Sequence, residues 1–305
     1  MARSRGVGIG LALLCLLILG AMPILAANRP ARFEGLTFAI AITFWQLVAA
    51  MPLFALEMKR DGWRLPQLVG RGSAGLITLA TGAMFGLSTY MYVVAADKAG
   101  PVSMVIALQA YPLFATAWET LFLGKRKSRL ELFFMAVMLL ALVYLTTEGT
   151  FRISDISWWS AFALGIPLIW SIAHLLLRHV LTTTAITPNQ VTISRLVISG
   201  AFLLLLVLVI ETPGALVEAF AAADFQKAAF ILGVAYYLEL ILWFYAMRHI
   251  DVSLASSVTV PAPAVTMLLT VLFLGGGVAA YQVAAMAVIA IGMYGLLFAG
   301  RRYVA

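Results

Sequence analysis

Apolar residues in this chain fall in long uninterrupted blocks, not in the short alternations of a water-soluble fold. A helix needs about 20 apolar residues to cross roughly 30 Å of hydrocarbon. Ten such runs can be read, at 7–27, 36–57, 74–96, 102–123, 130–148, 157–178, 190–211, 227–247, 252–274 and 280–299. Polar residues collect in the short connections between them, which leaves no room for an extramembrane domain. The expected fold class is all-α and integral to the membrane, with ten transmembrane helices. The first run, after Met1-Ala-Arg-Ser-Arg and ending Leu25-Ala26-Ala27, also fits a cleaved signal peptide. Its length and its place in the repeat below assign it to the fold as a span.

Composition agrees with the pattern. Of 305 residues 63% are apolar and only 11% charged, whereas a soluble chain carries about a quarter charged residues. The single cysteine, Cys15, excludes a disulfide framework and a cysteine metal cluster. Neither a G-x-x-x-x-G-K-[ST] phosphate loop nor an H-E-x-x-H metal motif occurs, so no cofactor or metal is expected and the chain is not its own ATPase. The net charge of +7 suggests a nucleic-acid partner only until topology is considered. With the N-terminus inside, fourteen of the twenty Lys and Arg fall on one side and five on the other, with Arg195 inside a span. The positive-inside rule then puts both termini in the cytoplasm. The expected partners are the bilayer and a small-molecule substrate, with no nucleic acid, in a monomer or weak homodimer.

Shifted by about 150 residues, the chain falls on itself. Thr43-Phe-Trp-Gln46-Leu-Val matches Thr192-Ile-Ser-Arg195-Leu-Val, and Val102-Ser103 matches Val252-Ser253. One residue out of that register, Pro112 meets Pro263 and Leu123-Gly124 meets Leu274-Gly275. The expectation is two halves of five spans, 1–150 and 151–305. Five is odd, so the second half enters the membrane from the opposite side, giving the inverted repeat typical of secondary transporters.

With a proline midway along spans four and nine and a Leu-Gly closing each, the sequence resembles the drug/metabolite transporter superfamily. Within it, the branch of bacterial exporters built from two EamA-type repeats is the most similar. The resemblance departs in two places. Lys125 and Gly276 stand where the family often has glutamate, and span two has Gln46 where an arginine is common, although span seven keeps Arg195. It implies a bacterial inner-membrane carrier exporting amino acids or related metabolites.

Ionisable residues within a span cost about 2.5–3.5 kcal/mol on insertion scales, so each asks for a reason. Glu239 sits near the middle of span eight, and helical spacing sets Tyr236, Glu239 and Trp243 on one face. A carboxylate between aromatic rings suits a substrate ammonium or a proton; the plainer alternative is a protonated Glu bonded to a neighbouring helix. Span six carries a stripe of Pro167, Trp170, Ser171, His174 and Arg178. Trp170 reads as an aromatic wall, His174 as an interhelical hydrogen bond ahead of a proton relay, and Arg178 as snorkelling. Trp158 and Trp159 read as interfacial belt residues.

Gln109 and Tyr111, beside the proline of span four, are expected to reach substrate. The hydroxyls of Thr116, Thr120, Ser256, Thr259, Thr266 and Thr270 read chiefly as helix–helix glue. In span three Gly82 and Gly86 permit close packing; of Tyr90 and Tyr92 beyond them, Tyr90 joins the candidate set. Arg195 reads first as snorkelling and second as a carboxylate- or phosphate-binding cation. Glu119 reads as an interfacial partner of the basic loop, and Glu57 and Glu131 lie too shallow to demand a function.

Three function classes follow. The leading one is a secondary transporter working by alternating access on a neutral or zwitterionic solute, an aromatic or aliphatic amino acid or a related metabolite. A lipid-linked-sugar flippase or a vitamin importer on the same fold is the alternative. An intramembrane enzyme is a distant third, since no nucleophile stands beside a base.

Overall fold

The computed structural model describes residues 5–61, 73–124, 127–184, 186–211, 213–250, 255 and 258–301. Met1–Ser4, Lys125, Val252-Ser253 and Ser256, and the side chains of Glu119 and Arg178, lie outside the described residues. Among those described, every regular element is helical: α1 (Arg5–Ala27), α2 (Gly35–Asp61), α3 (Ser73–Lys98), α4 (Pro101–Leu108), α5 (Tyr111–Leu123), α6 (Arg129–Thr146), α7 (Trp158–Thr183), α8 (Pro188–Ile210), α9 (Pro213–Ala221), α10 (Ala223–His249), α11 (Ala262–Leu274) and α12 (Ala280–Arg301), with a 3-10 turn at Ile153–Asp155. Nine helical segments are long and apolar enough to cross a membrane, α4 and α5 together making one of them, and α11 is a shorter apolar helix. Nine of the ten expected spans thus contain a segment long enough to cross, and the ninth in chain order contains the shorter helix.

Local chemistry sets the ends. Ser128 and Glu131 form a capping box at the start of α6, each side chain bonding the other's backbone N–H; this is what Glu131 does. Thr187 caps α8, accepting the N–H of Gln190 at 3.2 Å with Pro188 at the first helical position. The Leu-Gly pairs close α5 and α11 because Gly124 and Gly275 adopt left-handed φ of 64° and 59°, a conformation that costs glycine little.

The prolines of spans four and nine interrupt their helices. Pro112 has no N–H for the carbonyl of Leu108, and Pro263 none for Thr259. The chain turns at Gln109–Ala110 and again at Val260–Pro261 before α5 and α11 begin. At the first turn the hydrogen bonds tighten to three-residue spacing, Gln109 N–H to Ile106 and Ala110 N–H to Ala107.

The chain forms two compact units that interleave in sequence, each drawing on both expected halves. One comprises residues 1–27, 95–168 and 238–305, and the other 28–94 and 169–237. In the first, α1 packs on α4 and α11, and α12 on α6. Thr266 Oγ donates to the carbonyl of Gly20 at 2.7 Å, where a Cβ on Gly20 would meet Val265 at 2.4 Å. A Cβ on Gly292 or Gly295 would run into Met138 and Phe134 respectively, so α6 and α12 lie antiparallel.

In the second unit α2 and α8 pack antiparallel and are fastened at both ends. The Glu57 carboxylate accepts from the Thr187 hydroxyl and from Asn189 Nδ2, the latter at 2.6 Å. At the other end Thr37 donates to the Glu211 carboxylate. Each glutamate thus closes its own helix and lies at the N-terminus of its partner, where the helix dipole favours negative charge. Glu57 is a structural tie, as its shallow position suggests. Gly82 of α3 takes a hydrogen bond on its carbonyl from Ser199 Oγ at 2.7 Å, and a Cβ there would lie 2.5 Å from Ile198. The close packing expected at this glycine is what the unit contains. Large apolar side chains remain exposed, among them Val209 at 82% and Phe273 at 75%, as a lipid-facing surface requires.

Candidate functional site

The second unit gathers polar and aromatic groups in its interior. α3 presents Phe85, Ser88 and Tyr92 at i, i+3 and i+7, on one face. α7 brings Trp170 and His174 one turn apart, α8 brings Arg195, and α10 brings Tyr236. The Trp170 indole N–H donates to Ser88 Oγ at 2.9 Å, and Ser88 donates in turn to the carbonyl of Phe85 at 3.0 Å. That short chain fixes the indole plane. Tyr92, 2% exposed, stacks on Trp170 with centroids 6.5 Å apart and meets the ring of Tyr236 edge-on at 5.3 Å. Three rings from three helices thus form a continuous wall.

Phe85 begins a second layer. It belongs to a core cluster with Ala74, Ala173, Leu177, Val180, Ile186 and Val191, and Trp170 packs against that cluster. The imidazole of His174 lies 5.3 Å from the Phe85 centroid, and the Arg195 guanidinium carbon lies 4.4 Å above the same ring. Arg195 therefore reaches across to a buried residue twelve positions into α3, and does not snorkel. His174 itself is exposed.

Of the eight residues singled out by sequence, Trp170, His174, Tyr236 and Tyr90 fall in this unit. The first three join the cluster. Tyr90 is half-buried and turns its ring edge toward Gly35 of α2, whereas Tyr92 occupies the stack. Phe85 and Ser88 escaped sequence reading; the signal for both was the Phe85-Ser88-Tyr92 spacing.

The other four, Gln109, Tyr111, Glu239 and Trp243, fall in the first unit. Gln109 stands at the turn between α4 and α5 and lines a narrow crevice with Ile106, Val260, Pro263, Met286 and Ile289. Tyr111 is the first residue of α5 and is half-buried. Glu239 is partly exposed, and its backbone carbonyl faces Cys15 Sγ at 3.5 Å. Trp243 packs against Ala12, Ala246, Ile250 and Ala255. Of the hydroxyls expected to act as glue, Thr266 joins α11 to α1, whereas Thr120 bonds back within its own helix to Thr116 O. Trp158 and Trp159 stand exposed at the first turn of α7.

Comparison with known proteins adds three findings. Residues 157–298 match the EamA-like transporter family. No curated protein sequence matches the chain. A solved crystal structure, 17% identical, superposes with a TM-score of 0.64 over 96% of this chain and 98% of its own, a likeness of fold.

Proposed function

We propose that this multi-pass membrane protein, whose residues 157–298 match the EamA-like transporter family, is a carrier of the drug/metabolite transporter superfamily that moves a small zwitterionic solute by alternating access. An aromatic or aliphatic amino acid suits it best, exported across a bacterial inner membrane with both termini cytoplasmic.

The observation that carries the substrate reading is the wall of Trp170, Tyr92 and Tyr236. Aromatic faces bind apolar side chains and, through cation–π attraction, ammonium groups. In this reading Trp170, Tyr236 and Tyr90 belong to the substrate path, Gln109 and Tyr111 meet substrate at the α4–α5 turn, and Glu239, beside Trp243, takes the ammonium or a coupling proton. His174 is the second candidate for the proton.

Two features support the transport mechanism and the division into inverted halves at about residue 150. Matching helices of the two halves, α2 with α8 and α6 with α12, pack antiparallel, as inverted repeats require. Helices broken at matching positions of the two halves mark the region that binds and moves in transporters of this kind, and the turns at 109–110 and 260–261 are such a pair.

The test is counterflow in proteoliposomes, loaded with unlabelled amino acids while labelled phenylalanine and methionine are followed. Exchange that needs a loaded partner and is lost in Glu239→Gln is the expected result. No exchange with any amino acid, in folded protein, would overturn the substrate class and turn the search to vitamins and lipid-linked sugars.

A further inference from the structure

Phe85 has two cationic or ionisable groups close to its ring, and this arrangement goes further than the wall beside it. We infer that Arg195 and His174, set around the ring of Phe85, form the subsite for a carboxylate, so that the transported solute is held by its acid group within the second unit. The inference deepens the amino-acid reading and rests on it.

Position comes first. At 1.5 Å per residue, Arg195 lies about 10 Å in from the first residue of α8, and His174 about 13 Å in from the last residue of α7. An arginine at that depth that merely avoided lipid would extend toward its own helix end. Arg195 instead lays its guanidinium 4.4 Å over Phe85, a residue 7% exposed. The ring stands beside the guanidinium carbon, and the N–H groups of a guanidinium lie in its own plane. A planar fork presented this way suits a carboxylate, which it can bind through two parallel hydrogen bonds.

Charge comes second. No Asp or Glu occurs in 73–94, 169–183 or 188–210, so α3, α7 and α8 carry no acidic side chain along these stretches. His174 adds a second donor, its imidazole 5.3 Å from the same centroid. Continuity comes third. Trp170 packs against the Phe85 cluster and opens the aromatic wall, so a ligand with its acid on Arg195 has an apolar surface beside it for its side chain. An acid joined to an apolar or aromatic group is the ligand class that fits both layers; an amine alone is not.

The probes are phenylacetate, which has the ring and the acid, and phenethylamine, which has the ring and the amine. Both are titrated by intrinsic tryptophan fluorescence against the full-length protein in nanodiscs. Wild type is expected to bind phenylacetate. Arg195→Gln should weaken that binding roughly tenfold or more, as loss of a charge-assisted hydrogen bond does. Arg195→Lys should retain part of it, His174→Gln should weaken it less, and phenethylamine should be indifferent to all three. Failure of wild type to bind phenylacetate overturns the inference, whatever the counterflow assay gives. So does an Arg195→Gln protein that melts at a lower temperature yet binds phenylacetate as wild type does, which would reduce Arg195 to a packing role. Phenylalanine counterflow with an unchanged KM in Arg195→Gln would also overturn it, and would leave the amino-acid reading standing.

Discussion

The two units are built from the same kind of helix and use it differently. In the first, the polar features are interruptions: the turns at Gln109–Ala110 and Val260–Pro261, and a methionine-lined crevice beside them. In the second, the helices run unbroken, α2 and α8 are tied at both ends, and the polar groups converge on an aromatic cluster. A broken helix can bend where its hydrogen bonds are missing, whereas a tied pair holds side chains in fixed register. Under the proposed function, the contrast puts the bending turns in the first unit and the aromatic wall in the second.

Four changes break or sharpen that contrast. Gly233→Ala should do the most damage, about 1–3 kcal/mol. Its Cβ would lie 2.8 Å from the carbonyl of Ile42 and 3.2 Å from the N of Gln46, and backbone yields less readily than a side chain. Thermal melting in detergent reads it, and an unshifted melting temperature would mean the second unit is looser than described.

Pro112→Ala with Pro263→Ala tests the other side. Each restores a donor to an interrupted helix, so stability should rise, by at most about 3 kcal/mol per site. Turnover in counterflow should fall while substrate affinity holds. Faster turnover would remove the first unit's claim to movement.

Next come the ties. Glu57→Gln and Glu211→Gln should each cost about 1 kcal/mol. Being at opposite ends of one helix pair, the two should add in the double variant, which urea titration of the melting transition can follow. Strong non-additivity would show the ties acting as one device. Thr266→Val should be smallest, about 0.6 kcal/mol, with transport unchanged.

Much of the architecture was legible in advance because hydropathy is a one-dimensional property. Of the ten apolar runs, nine hold a helical segment long enough to cross a membrane and one a shorter apolar helix, and Leu123-Gly124 and Leu274-Gly275 marked true helix ends, since a left-handed φ is written in the glycine itself. The site was less legible because it depends on which helix faces which. Tyr90 and Tyr92 are two residues and about 200° apart on α3; only the approach of Gly35 on one side and Trp170 on the other tells them apart. Arg195 read as a snorkelling cation because its acceptor, Phe85, lies on another helix and carries no polar atom to announce itself. Glu57 looked idle for a related reason: its partners stand 130 and 132 positions along the chain.

Those distances also carry a schedule. The ribosome adds about 5–20 residues per second, so the 174 positions between Thr37 and Glu211 take about 9–35 s to synthesise. Throughout that interval α2 waits in the bilayer with Glu57 and Thr37 unmet, and it is released only when α8 arrives with both answers. A nascent chain stalled before residue 187 is therefore the form of this protein that quality control has most reason to recognise.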